Sequence, residues 1–227
     1  MPEAARRRRG AEYKDTFARP PPAAVAYDVS VRDEATISVP PGSTWTSGPH
    51  WHEAHTEFLR VLAGRARIVL SGRSFVVGAG DGVVLVPRGA VHEWGRADGG
   101  LGLRVSGDST EDGEREGERE GDGEGDGDGD GDKEVLVVRE WTQPRDGAKE
   151  VFFRNLNGLI LDAAEGGRRG VWLELELWNL FWRADNYPVV LGSGWVGGVA
   201  TKVVMGVAVA LGWVVGCQGV YEEYSAR

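Results

Sequence analysis

From Val25 to Val105 the apolar residues come in short, β-branched runs separated by Gly, Pro and Asp. Ala35-Thr-Ile-Ser-Val-Pro40 alternates apolar and polar positions. Leu59-Arg-Val-Leu62, Ala66-Arg-Ile-Val-Leu70, Ser74-Phe-Val-Val77, Val83-Val-Leu-Val86 and Leu101-Gly-Leu-Arg-Val105 are runs of the same kind. Segments this short and this closely spaced predict the strands of an all-β barrel or sandwich. One more strand-like run, Val135-Leu-Val-Val-Arg-Glu-Trp141, follows an interruption. From Lys149 the period changes: Val151, Phe152, Leu156, Leu159 and Ile160 recur at helical spacing, as do Val171, Leu175 and Trp178. Breaks at Gly166-Gly167 and Tyr187-Pro188 divide this stretch into two predicted helices. The tail Val189–Cys217 is small and apolar, with Lys202 as its single charge.

Charge changes the picture in one place. Of the formal net charge of −9, the stretch Asp108–Glu134 alone carries fourteen acidic and three basic residues, so the rest of the chain is close to neutral. Residues 106–133 contain no apolar side chain and cannot offset their ordering entropy, which predicts a disordered acidic loop. Long insertions cost little stability because closure entropy grows only logarithmically with length. A barrel over residues 25–147 can therefore carry this loop and close with the strand after it. The Arg-rich and Pro-rich residues 1–24 read as a disordered N-terminus, and residues 148–227 as a helical extension with a hydrophobic tail, 189–217. Nothing in the near-neutral remainder argues for a nucleic-acid surface, and no nucleic-acid partner is expected. A single cysteine, Cys217, excludes an internal disulfide, and the N-terminus has no apolar secretory core. Both point to an intracellular protein, cytoplasmic or membrane-associated.

The candidate chemistry sits in two short motifs that hold all four histidines: His50-Trp-His52-Glu-Ala-His55-Thr-Glu57, and Pro87-Arg-Gly89-Ala-Val-His92. Two residues apart on a strand, His50 and His52 face the same way. Glu57 follows a short excursion and His92 returns from a separate strand. Three neutral imidazoles and one carboxylate suit one divalent ion, Fe(II) first, with Mn, Zn or Ni as alternatives, and leave open positions for water or a small-molecule substrate. His55, an odd number of positions from the pair, faces away. Trp94 shares the side of His92 on its strand and, with Arg96, is the candidate lining of a substrate pocket.

From His50 to Gly64 the text follows His-x-His-x4-Glu-x6-Gly, and Pro87 to His92 follows Pro-x-Gly-x2-His. In these motifs the chain resembles the cupin superfamily (RmlC-like). The resemblance implies a mainly β fold, a single cupin barrel (double-stranded β-helix or jelly roll), here with a C-terminal α-helical extension. It also implies His50, His52, Glu57 and His92 as metal ligands. Val138-Arg-Glu-Trp141, Lys149-Glu-Val-Phe-Phe-Arg-Asn155 and Tyr221-Glu-Glu-Tyr224 further resemble small fungal cupin-domain oxidoreductases of polyketide biosynthesis clusters. That similarity implies a metal-dependent enzyme acting on a small aromatic or polyketide-like substrate. A metal-dependent isomerase or cyclase, and a non-catalytic binding or scaffold module, are the alternatives, since fold does not decide function.

Two features stay outside that reading. Gly192-Ser-Gly194-Trp-Val-Gly197 fits a dinucleotide fingerprint, yet no βαβ unit surrounds it and Cys217 stands where an acid is needed. The segment 189–217 either associates with a membrane or packs as a buried helix or hairpin against the barrel or a second copy in a homodimer. Lys202 sits badly at mid-depth in a bilayer.

Overall fold

The computed structural model describes residues 14–101, 134–192 and 194–225. The segment read as an acidic loop, 106–133, and nearly all of the expected strand 101–105 lie outside the described residues.

Two antiparallel sheets face one another. The first runs β1 (Thr16–Arg19), β2 (Val25–Asp28), β3 (Glu34–Val39), β10 (Leu136–Gln143), β5 (Thr56–Ala63), β8 (Val83–Val86). The second runs β11 (Tyr187–Pro188), β4 (His50–Trp51), β9 (His92–Arg96), β6 (Arg65–Leu70), β7 (Arg73–Gly78). Side chains alternate as the pleat requires: Ala35, Ile37 and Val39 of β3 and Leu136 and Val138 of β10 are buried in the common core. The strand after the acidic run lies between β3 and β5, with Leu136 opposite Val39 and Thr142 opposite Glu57. Gly64 turns β5 into β6 at φ 70°, and a Cβ there would meet the Leu136 backbone at 2.9 Å. Glycine is the residue that allows this approach.

The N-terminal expectation needs correcting. Thr16–Arg19 is ordered as an edge strand, with Phe17 opposite Tyr27. The compositional bias of residues 1–24 hid four residues whose backbone groups are satisfied by β2, a partner that local composition does not reveal.

The C-terminal region is helical: α1 (Ala148–Ala164), α2 (Val171–Arg183), α3 (Trp195–Val214) and the short α4 (Glu222–Ser225). Phe152, Phe153 and Leu159 of α1 and Leu180 of α2 join the barrel core, each aromatic or leucine contributing roughly 1.5–3 kcal/mol by burial. Gly166-Gly167 separates α1 from α2 as expected. Tyr187-Pro188 is more than a break: it forms β11 and pairs with β4, Pro188 opposite His50. α3 buries Gly197, Thr201, Met205 and Gly212 along one side and is long and apolar enough to cross a membrane, with 22% of that window buried. Lys202 is held by contacts within the chain. It bonds Glu53 at 2.8 Å and sits 3.4 Å from the Tyr187 ring centroid.

Candidate metal centre

Strand geometry assembles the four expected ligands. β4 and β9 pair antiparallel with His50 opposite His92, His52 follows directly on β4, and Glu57 is at the inward phase of β5 with Leu59 and Val61. All four side chains are buried, and one donor atom from each lies within 4.8 Å of the others. The ring centroids of His50 and His92 are 4.2 Å apart, and His52 is 5.1 Å from His50.

The imidazole tautomers follow from the hydrogen bonds. His50 Nδ1 is 2.7 Å from the Gly48 carbonyl, His52 Nδ1 2.5 Å from that of Asp185, and His92 Nδ1 3.1 Å from that of Ala90. A carbonyl only accepts, so each Nδ1 donates and each Nε2 of a neutral ring is left a lone pair. Two of those lone pairs meet a carboxylate. His52 Nε2 is 3.0 Å from Glu57 Oε2, and His92 Nε2 is 3.3 Å from Glu57 Oε1. The second contact is close in distance but lacks hydrogen-bond alignment, and both of its atoms are buried without a hydrogen-bond partner. Acceptor against acceptor in a dry interior is unfavourable unless a cation lies between them. This arrangement fits a divalent metal ion, with backbone carbonyls orienting the imidazoles as metal ligands require.

The electrostatics differ from group to group. Burial and the neighbouring histidines hold His50 well below the usual imidazole range, so its ring stays neutral. Burial alone would raise Glu57, but the Lys149 ammonium beside it holds it well below the usual carboxylate range. For His92, burial works downward and is outweighed by Glu57, leaving the group raised.

Three residues at the site were missed in the sequence. Lys149, buried at the start of α1, donates to Glu57 Oε2 at 2.8 Å and to Glu140 Oε1. Burial lowers its proton affinity, yet Glu140 and Glu57 outweigh that and keep it charged. Burial and the Glu57 charge raise Glu140 above the usual carboxylate range. Asp185, between α2 and β11, adopts a left-handed φ of 54°. Its carbonyl accepts a hydrogen bond from His52 Nδ1, while its carboxylate accepts from the Glu53, Ala54 and His55 amides and contacts His55 Nδ1 at 2.8 Å. His55 also contacts Asp146 and belongs to the buried support of the ligand loop rather than to the ligand set.

Beside the ligands lies a cavity of about 340 Å³ whose lining includes His50, Glu140, Tyr27, Trp45, Phe153 and Phe181. Trp94 and Arg96 are not in that lining. Trp94 is 1% exposed and packs edge-on against Trp45, which forms the wall instead. Arg96 pairs with Asp98 and donates to the Val39 and Glu134 carbonyls, tying the end of β3 to the approach of β10. Both side chains are buried on β9, and the contacts described for them are structural.

A family model described as the cupin domain matches residues 35–105. Comparison with curated proteins gave no match. Among solved structures, the chain is similar to the capsular polysaccharide assembling protein CapF from Staphylococcus aureus, with 16% identity, 58% of this chain and 32% of that one covered, and TM-score 0.33. It is similar to the oxalate decarboxylase of Lactobacillus farciminis, with 16% identity, 56% and 31% covered, and TM-score 0.33. It is also similar to KdgF from Halomonas sp., with 13% identity, 59% and 89% covered, and TM-score 0.32. The chain thus spans about a third of the length of the first two. Its two antiparallel sheets form a cupin domain, followed by a C-terminal helical region.

Proposed function

We propose that this chain is a metal-dependent cupin enzyme, an oxidoreductase of dioxygenase type that acts on a small aromatic or polyketide-like substrate. The observation that carries this reading is the convergence of three tautomer-fixed imidazoles and one carboxylate beside an apolar cavity. His50, His52, Glu57 and His92 would hold the ion, with Fe(II) the first choice for this donor set and Mn, Zn or Ni also compatible. A bound divalent ion supplies redox or Lewis-acid chemistry at its open positions.

The protein groups have separate work. The Gly48, Asp185 and Ala90 carbonyls aim the imidazoles, and Lys149 keeps Glu57 ionised. Trp45, Phe153 and Phe181 hold an aromatic substrate against the centre and exclude water. Glu140 stands in the cavity wall, paired with Lys149, and places a buried carboxyl group at the edge of the substrate space.

Elemental measurement on anaerobically purified protein tests this. About one ion per chain is expected, with loss in His52→Ala, together with oxygen uptake on phenolic compounds. Unchanged metal content in His52→Ala would sink the metal centre. Stoichiometric metal without oxygen uptake favours an isomerase, a cyclase or a binding module instead.

For α3 we propose a membrane surface as the cover of its outer face. Val196, Val199, Val203, Val207 and Leu211 are exposed on it, no charge interrupts it, and Trp195 and Trp213 stand at its two ends, 81% and 78% exposed. Tryptophans at both ends of an apolar stripe suit the headgroup boundary. The Lys202–Glu53 bond, which fastens the helix to the loop between β4 and β5, favours a helix lying on the bilayer over one crossing it. Flotation of the intact chain with lipid vesicles is expected; a chain that stays below them, or dimerises through this face, would refute it.

A further inference from the structure

The cavity beside the metal centre has an unexplained cation in its wall. Arg19, on edge strand β1, lines it together with His50. Its Nε donates to Asn157 Oδ1 at 2.9 Å, and its guanidinium carbon lies 5.1 Å from the Tyr27 ring centroid. Its Nη2 is buried and has no hydrogen-bond partner. Among the described residues, no carboxylate lies within ion-pair distance of it. A buried guanidinium nitrogen with nothing to donate to is costly, and native interiors rarely leave one so.

Tyr27 offers a second donor in the same wall. Its hydroxyl accepts the Trp45 indole N–H at 3.0 Å, and its own proton has no acceptor among the described residues. Burial is the main reason its acidity falls, with the pKa pushed up to about 12, so it keeps that proton. The one carboxylate in the lining, Glu140, is already engaged by Lys149. Most of the remaining lining is apolar: Ile37, Phe152, Phe153, Leu156 and Phe181 among others.

From this juxtaposition we infer that the ligand of the cavity is an aromatic acid, whose anionic oxygens dock on Arg19 and Tyr27 while its apolar body reaches towards His50. The inference rests on the cavity being the substrate site, and it adds what the metal centre does not specify: the charge and polarity of the substrate's far end. Arg19 is then a specificity-determining residue. Two donors converging on one carboxylate distinguish an acid from a neutral molecule of the same shape, because the neutral one leaves the guanidinium unpaired.

The test uses the full chain after chelator treatment and a matched pair of probes, 2-naphthoate and the neutral 2-naphthylmethanol, in calorimetric titrations. Naphthoate is expected to bind at least about tenfold tighter, the scale of one charge-assisted hydrogen bond. In Arg19→Gln the two affinities converge to within about twofold. Arg19→Lys retains part of the preference, and Tyr27→Phe weakens naphthoate selectively, so the test survives if the glutamine variant folds poorly. Equal affinities in the parent chain, binding of neither probe, or a preference that persists in Arg19→Gln would each overturn the assignment. Because no metal is present, failure here is distinct from failure of the metal centre, which metal content and oxygen uptake report.

Discussion

Helices α1 and α3 reverse the usual relation between polarity and burial. α1 carries Lys149, Arg154, Asn155 and Asn157, and all four are buried, the two asparagines completely. α3 has a single charged residue and exposes most of its valines and both of its tryptophans. The difference lies in partners. Each buried polar group of α1 is satisfied by a distant segment: Arg154 by Lys14, Asp15 and Val29, Asn155 by Ser225 and Tyr221, and Asn157 by Arg19. The outer face of α3 has nothing in the described chain to cover it. Apolar content indicates what a helix gains from burial; burial also needs a surface to pack on.

This comparison can be broken at its strongest point first. Lys149→Met should be the most damaging change, costing about 3–5 kcal/mol in urea unfolding, because it leaves Glu57 and Glu140 buried without their shared cation. A variant as stable as the parent would mean that the burial of α1 does not depend on its polar partners. Gly158→Ala comes next. Its Cβ would meet the Tyr224 ring at 2.6 Å, and a loss of about 1–3 kcal/mol in thermal unfolding is expected from overpacking. On α3 the effect on folding should nearly vanish: Val203→Glu with Val207→Glu is expected to cost under about 0.5 kcal/mol per site. The same pair should abolish vesicle flotation, which separates the helix's contribution to folding from its contribution to docking.

The cluster of His50, His52, Glu57 and His92 was legible for a definite reason. Strand period places His50, His52 and Glu57 near one another within eight residues, and the Pro-x-Gly turn delivers His92. Glu140 was missed although a signal existed, since it falls in phase with Leu136 and Val138 on β10. Lys149 and Asp185 carried no comparable signal. They reach the site across 92 and 133 positions of sequence respectively, and a lone lysine before an amphipathic helix looks like any solvated one. Arg19 was obscured by the low-complexity text around it. The helices' place over the cavity was likewise invisible, because amphipathicity shows that a face is buried and not against what. Strand period puts Trp94 on the side of His92, but alternation cannot show that Trp45 takes the cavity wall.

Strand β11 and the Asp185 carbonyl also have a temporal consequence. On a ribosome, His50, His52, Glu57 and His92 emerge well before Lys149, and Asp185 and the residues that pair with β4 follow later still. A nascent chain that has made its donor set therefore still lacks the ammonium that steadies Glu57 and the carbonyl that aims His52. The order of synthesis delays a fully oriented centre until most of the helical region has been made, so the geometry selects the finished chain over its own precursors.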